Sequence, residues 1–532
     1  MGTNLAAFAS EHFTHCAILR HFRMQNEGQK LSAASQPSEG AEMAAPSEGR
    51  DVLVVDLDRT LSATDFTLEN VLSALGANPL NITKLTAWAF KGRSYLKART
   101  AELAMSDVKV APYNPEVIAF IEAAKADGAY VVLATASNQA VADAVAKHIG
   151  LFDAAHGSTE GNNFKGRAKA DFLNRTYGEG NYIYMGDSPS DAKIWSHAKK
   201  AVTVGATRRV KALAESAASD VQHISIASRE SERQLRAMFK TIRPHQWSKN
   251  ILVFVPLLSA QEFSAPVILQ AVLAFFCFCL TASSVYVLND LLDLDADRNH
   301  PRKKNRPFAS GALPIKTGIW MAPLLLLAGF GLAAWQLPAV FFLVLTGYYA
   351  LTLSYSFFLK RKIMIDVFTL AGLYTIRVIA GAAATLISLS PWLAGFALFF
   401  FLALAIVKRL SEVVDMISMN EVARQKRDYA ARDLGMVQSL GAAAGYGAIL
   451  VLSFYFSSPE ATKLYQSPEV LWATTPLLLY WISRMLVLAN RGEMDDDPIV
   501  FAAKDRTSML IGLCVLGIIL VGEFFDWTIL TQ

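Results

Sequence analysis

From about residue 250 onward the chain is a succession of long apolar runs separated by short charged loops, and few folds are open to such a sequence. Runs of roughly 20 apolar residues match the ~30 Å hydrocarbon core of a bilayer. There the backbone must satisfy its own hydrogen bonds, so the runs are expected to be helices. Nine spans are expected, near 249–261, 266–288, 317–335, 338–358, 364–387, 391–409, 435–456, 468–490 and 508–527, the first short enough to be re-entrant. The loops at 289–316, 359–362, 408–434 and 491–507 are rich in Lys and Arg, whereas WQLPAV, LISLSP and SSPEATKLYQSPE carry one Lys in total. This alternation predicts basic loops and an amino-terminal domain on the cytoplasmic side of an inner membrane. The net charge of +4 then follows from orientation and gives no reason to expect a nucleic-acid partner.

Ahead of the first run the sequence changes character. Residues 1–49, rich in Ser, Ala, Glu and Gln, are expected to be a disordered leader. Residues 50–205 alternate short apolar runs (DVLVVDL, YVVLAT, NYIYMG, AVTVG) with helical stretches, which predicts an α/β doubly wound parallel sheet. Residues 206–245 read as a charged linker, and 246–532 as an all-α polytopic membrane domain. Cys16, Cys277, Cys279 and Cys514 form no spaced framework and are expected to be reduced packing residues.

In open α/β sheets ligand chemistry gathers at the carboxyl ends of strands. VLVVDLDRTL ends a strand in Asp56 and Asp58, so that Asp56 would attack phosphorus while Asp58 protonates the leaving alkoxide and later activates water. Thr135, at the end of the next strand, would bind phosphoryl oxygens, and Lys169 or Lys165 would neutralise charge on the transferred group. YMGDSPSD supplies Asp187 and Asp191, suited to Mg²⁺ together with Asp56 and Asp58. These elements, in this order, resemble the haloacid dehalogenase-like phosphohydrolases. The resemblance implies Asp56 as nucleophile, Asp58 as acid/base, Thr135 and Lys169 on phosphate, Asp187 and Asp191 on the metal side, and a helical cap over about 66–110.

The segment SSVYVLNDLLDLDADRNHPRKKNRPFASG drives an apolar helix into four aspartates and then into bases. On a continuous helix Asn289, Asp293 and Asp297 share one side with Asp290, while Asp295 points elsewhere. Carboxylates gathered at a membrane helix end need cations, and Mg²⁺ ions clamping a diphosphate would supply them. Arg298, Lys303, Lys304 and Arg306 suit phosphate oxygens left uncovered by metal. Arg377 lies mid-span, where an unpaired charge is costly, so a phosphate or carboxylate is expected to face it, Asp366 and Glu412 being the structural candidates.

NDLLDLDADR looks like the first aspartate-rich motif of the UbiA superfamily of intramembrane transferases, whose prenyltransferases hold Mg²⁺-diphosphate there. The family's second acidic element is replaced by AIVKRLSEVVDM, with Lys408, Arg409 and Glu412, and Lys408 and Glu412 are spaced to share a face. RPHQWSKNILVF (with Lys249), the HPRK and RPFASG stretches, YSFFLKRKIMIDVFTLAGLYTIRVIAGA (with Lys360 and Arg377), KRLSE and RGEMDDDPIVFAAKDRTS resemble the decaprenyl-phosphate phosphoribosyltransferases. That resemblance implies transfer of 5-phosphoribosyl from phosphoribosyl diphosphate to polyprenyl phosphate, with Lys249, Asn289, Arg298, Lys304, Arg306, Lys360, Arg377, Lys408, Arg409 and Glu412 on substrate and Asp290, Asp293 and Asp297 on metal. The soluble domain would then remove the 5-phosphate. The alternative is a prenyltransferase acting on isoprenyl diphosphate and a small, for instance aromatic, acceptor.

Overall fold

The computed structural model describes residues 50–226, 231–418, 429–494 and 498–525; the expected leader lies outside the described residues. Six parallel strands form one sheet in the order β3-β2-β1-β4-β5-β6: β1 Val52–Val55, β2 Tyr130–Asn138, β3 Ala154–Ser158, β4 Tyr182–Gly186, β5 Lys200–Val204 and β6 Val221–Ile224. Strand periodicity splits β1 between two cores. Leu53 and Val55 pack with Val117, Ile121, Val141 and Val145, while Val52 and Val54 pack with Leu173, Tyr182, Trp195 and Val210. Burial on both faces is what makes these strands continuously apolar. The linker expectation needs correction, because Val221–Ile224 pairs with β5 and continues the sheet well past residue 205. Its four residues, Val-Gln-His-Ile, lie at the sheet edge without a polar–apolar alternation, too short and too polar a run to announce a strand.

Between β1 and β2 lie the cap helices α1 (Phe66–Ala77), α2 (Asn81–Phe90) and α3 (Arg93–Leu103), where a cap was expected. Helices α4 (Pro115–Ala126), α5 (Gln139–Ile149), α6 (Arg167–Tyr177) and α7 (Arg208–Ala217) flank the sheet, and α8 (Ser231–Thr241) leads toward the membrane domain.

Among the described residues eight helices, not nine, are long and apolar enough to cross a bilayer. They include α9 (Ala265–Leu292), α11 (Ile315–Gln336), α12 (Ala339–Phe357), α13 (Ile365–Thr385) and α14 (Pro391–Ser418), the short α10 (Leu294–Arg298) following α9; α15 (Leu434–Phe456), α16 (Thr474–Asn490) and α17 (Arg506–Phe524) come after. The expected first span is instead a 3₁₀ helix, Pro244–Phe254, running into a short α-helix, Val255–Ala260. That segment lies against α13 at Gly381, where a Cβ would collide with the Val253 carbonyl. Helices α9 and α13 are the most enclosed of the bundle and carry the buried Asp290, Asp366 and Arg377; α11, α12 and α17 turn Leu324, Leu327, Leu343 and Leu513 outward, as lipid-facing helices do. Cys277 and Cys279 are free and buried, and Cys514 is free and exposed.

Candidate functional site

The strand order reverses beside β1, and the head's acids collect there, at the carboxyl ends of β1, β2 and β4. Asp56 follows β1 and is held in place by its N–H donating to the Met185 carbonyl at 3.0 Å. Lys169, buried on α6, donates to Asp56 Oδ1 at 2.8 Å, to the Ala134 carbonyl at 2.9 Å and to the Tyr184 hydroxyl at 3.1 Å. Lys165 lines the cavity beside it. Asp56, Asp187 and Asp191 each bring a carboxylate oxygen within 4.8 Å of the others, and all three are buried. Asp191 is fixed by the N–H groups of Asp187 (3.1 Å) and Ser188 (2.9 Å). Three converging buried carboxylates against one nearby ammonium fit a divalent cation.

Asp58 does not join that triad, which corrects its expected metal role. Its Oδ2 accepts from the Ser137 hydroxyl at 2.7 Å and its Oδ1 from the Phe66 N–H at 2.9 Å. Burial, then the neighbouring carboxylates of Asp65 and Asp56, push its carboxyl up to about 7, so it can carry a proton near neutrality. Burial also raises Asp56, opposed by the Lys169 ammonium. Thr135 departs from expectation as well: its hydroxyl is fully buried, lies 3.4 Å from Asp58 and accepts the Ser137 N–H, so it supports the acid/base group. Sequence reasoning missed Ser137 and Tyr184. Only the register of their strands, which sends alternate residues to one side, could have suggested them. The cavity above these groups encloses about 470 Å³, and Arg93, Lys97, Lys165 and Lys316 are among its walls.

In the membrane domain, α9 ends at Leu292 and Asp293 breaks the helix before α10. The expected single carboxylate face is therefore divided. Arg306 spans Asp290 (3.1 Å) and Asp297 (2.6 Å), and Arg243 also pairs with Asp290. Asp293 is half-exposed, with Lys360 at 4.0 Å, and Asn289 gives its carbonyl to the Asp293 N–H. Guanidinium groups hold Asp290 Oδ1 and Asp297 Oδ2, and among the described residues Asp290, Asp293 and Asp297 do not converge as a set of metal ligands in this arrangement.

Arg298 is a further correction. It turns out of this cluster and into the head, where its two terminal nitrogens meet Glu69 of α1 at 2.5 and 3.0 Å, with both side chains buried. Asp295 follows it, accepting from Ser73 at 3.3 Å, and a Cβ on Gly76 would stand 2.8 Å from the Leu292 carbonyl. The aspartate-rich segment is thus also the dock for the cap. Lys304 stays exposed on the loop beyond.

Arg377 finds neither Asp366 nor Glu412. Its guanidinium donates to Asn250 Oδ1 at 2.9 Å, to the Tyr348 hydroxyl at 3.1 Å and to the Leu373 carbonyl. Lys249 lies 5.8 Å over the Tyr374 ring, which Arg377 also approaches, at 5.6 Å. Arg409 takes both acids instead, Asp366 at 2.5 Å and Glu412 one turn on, and Tyr429 donates to Asp366 at 2.9 Å. Glu412 therefore pairs at i,i+3 with Arg409 rather than only facing Lys408, which lies half-buried on the same helix.

Fold and sites together define a polytopic helical domain of membrane-spanning character that bears a phosphohydrolase-type head. The UbiA prenyltransferase family model matches residues 251–506, and the haloacid dehalogenase-like hydrolase model matches residues 53–195. The chain is 35% identical to the uncharacterized protein y4nM of Sinorhizobium fredii, over 87% of this chain and 89% of that one. It is 36% identical to the nodulation protein NoeC of Azorhizobium caulinodans, over 52% and 89% respectively. To a decaprenyl-phosphate phosphoribosyltransferase of Mycolicibacterium smegmatis it is 30% identical, over 54% and 93%. The chain belongs to the UbiA family and carries a haloacid dehalogenase-like domain ahead of its membrane domain.

Proposed function

We propose that the membrane domain transfers 5-phosphoribosyl from phosphoribosyl diphosphate to polyprenyl phosphate, and that the head hydrolyses the 5-phosphate of the product. The observation that carries this reading is the buried Glu69–Arg298 pair, which fastens the phosphatase cap to the aspartate-rich segment. A product released at that segment emerges beside the pocket that would consume it. In the first reaction a lipid phosphate oxygen bonds to the anomeric carbon as the carbon–diphosphate bond breaks. The cations Arg243 and Arg306, standing among the acids, suit a donor with phosphate at one end and diphosphate at the other. The mixed Lys408, Arg409 and Glu412 element supports the same choice over an isoprenyl donor.

In the second reaction Asp56 bonds to phosphorus as the bond from phosphorus to the ribose 5-oxygen breaks, and Asp58 gives its proton to that departing oxygen; Asp58 then takes a proton from the water whose attack on phosphorus frees phosphate and Asp56. Mg²⁺ bound by Asp56, Asp187 and Asp191 would neutralise phosphoryl charge. Lys169 acts from the other side of Asp56, holding the carboxylate in place. The resulting polyprenyl-phosphoryl ribose would supply pentose to a cell-envelope glycan or glycoconjugate, with the head on the cytoplasmic side of the inner membrane.

The test is a mass-spectrometric product assay on purified protein in detergent, given Mg²⁺, polyprenyl phosphate and phosphoribosyl diphosphate. Wild type should make lipid-phosphoryl ribose, and Asp56→Asn should stop at its 5-phosphate. If both stop there, the head acts elsewhere. If isoprenyl diphosphate is consumed and no ribosylated lipid forms, the membrane domain is a prenyltransferase.

A further inference from the structure

The head's cavity is walled in part by the membrane domain. Lys316, in the first turn of α11, lines the same space as Asp56, Asp58 and Asp191. Its ammonium stands 3.4 Å from Asp65, a residue whose carboxylate already caps α1 through the Leu68 N–H. The Lys316 side chain is 59% exposed, so this pair contributes little to holding the domains together. Docking rests on the buried Glu69–Arg298 pair and on the close approach at Gly76. A lysine at a cytoplasmic span end needs only the interface, and snorkelling toward water would satisfy it. Here the chain fold instead brings it to the mouth of a catalytic cavity in another domain.

Arg93, in the first turn of α3, lines the same cavity and has no carboxylate within 4 Å among the described residues. Lys97, one turn further, is tied to the Ala136 carbonyl at 2.6 Å and to Asn163 at 3.0 Å, and so serves the wall. A phosphomonoester attacked by Asp56 would have its charge met by the metal that Asp56, Asp187 and Asp191 would hold, with Lys169 already engaged on Asp56. Arg93 and Lys316 are positive charges beyond what that single group requires.

We propose that Arg93 and Lys316 form a second anion subsite, so that the head's site is completed by the membrane domain and selects substrates with a second phosphate beyond the one removed. The inference rests on the head being a phosphomonoesterase, as proposed above, and narrows its substrate class to molecules bearing a phosphomonoester and a further phosphate or phosphodiester. The phosphodiester of a lipid-linked sugar phosphate and the second phosphate of a soluble sugar bisphosphate share this chemistry.

The test compares ribose 5-phosphate with ribose 1,5-bisphosphate on the full-length protein in detergent. Binding is measured by titration calorimetry in the Asp56→Asn background, where a failure to hydrolyse the lipid product has no influence. Lys316→Ala should lower the affinity ratio of bisphosphate to monophosphate about tenfold, as expected for loss of one charge-assisted contact, and Lys316→Arg should keep it. In the Asp56-intact protein the same change should appear in KM and not in kcat. A parallel loss for lipid-phosphoryl ribose 5-phosphate identifies the phosphodiester as the natural occupant; a loss confined to the soluble compound assigns the subsite to soluble bisphosphates. An unchanged ratio, or equal losses for monophosphate and bisphosphate, overturns the proposal. Failure of wild type to hydrolyse the lipid compound while the ratio still responds to Lys316 would sink the proposed function and leave the subsite standing.

Discussion

Replacing Arg298 by methionine removes one half of an ion pair that neither domain can satisfy alone. The two side chains are 3% and 1% exposed, and the contact is bidentate. Removing one partner of such a pair strands a buried charge, at a cost of roughly 3–5 kcal/mol. The Thr64 hydroxyl also donates to Glu69 and would remain, so the lower figure applies. About 3 kcal/mol corresponds to a little over two decades in an opening equilibrium, at ~1.4 kcal/mol per decade. Hydrogen–deuterium exchange of the purified protein in detergent reads that equilibrium directly. Amides of Phe66–Ala77 in the Arg298→Met variant should exchange about 100-fold faster than in wild type, with smaller changes in β1 to β6. The Glu69→Met, Arg298→Met double variant buries two apolar groups where two charges stood, and should return most of that protection. Additive losses in the double variant would refute the pairing argument, as would a single-variant change below about threefold.

Three further outcomes follow from the same geometry. Chelating divalent cations should abolish hydrolysis of p-nitrophenyl phosphate by the head, and Asp191→Asn should raise the Mg²⁺ concentration for half-maximal rate by about tenfold or more, measured by metal titration. Ser137→Ala removes the 2.7 Å donor to Asp58 and should cut kcat for p-nitrophenyl phosphate about tenfold while leaving thermal stability within about 1 kcal/mol of wild type. Arg409→Met strands Asp366, which is 1% exposed, and should cost ~3 kcal/mol, seen as a lowered Tm in detergent; an unchanged Tm would show that Tyr429 alone suffices for Asp366.

Much of the architecture was legible because it follows from two periodicities. Apolar runs of bilayer length announced the bundle. Short apolar runs ending in acids announced the sheet and placed Asp56, Asp187 and Asp191 at strand ends. The misreadings have physical causes. The 249–261 run is apolar enough for a span but too short, and it coils as a 3₁₀ helix against α13. Its neighbours in sequence point Arg298 toward substrate, whereas its partner, Glu69, is 229 residues away and no local pattern reports it. A place near a strand end points Thr135 toward phosphate, yet its hydroxyl lies fully buried beside Asp58. A charge at mid-span calls for a phosphate or a carboxylate opposite Arg377, and neither Asp366 nor Glu412 takes that place. Asn250, Tyr348 and a helix carbonyl accept its protons instead, and flanking tyrosine faces spread its charge.

The break at Asp293 explains how one short segment serves two domains. On an unbroken helix, residues seven apart such as Asp290 and Asp297 would lie on one side, and Arg298, next to Asp297, would be turned only about 100° from it. With the helix stopped at Leu292 and restarted at Leu294, Asp290 and Asp297 close on Arg306 while Asp295 and Arg298 are aimed at α1 of the head. Asp297 and Arg298 are covalent neighbours, so a ligand that displaces Arg306 from Asp297 acts one residue from the dock of the cap. The cap helix in turn begins at Phe66, whose N–H holds Asp58. Asp297, Arg298, Glu69 and the start of α1 therefore make one short path of contacts between the membrane cluster and Asp58. In the Arg298→Met variant that path is cut while both sets of catalytic side chains remain, so any dependence of head turnover on phosphoribosyl diphosphate seen in wild type should disappear.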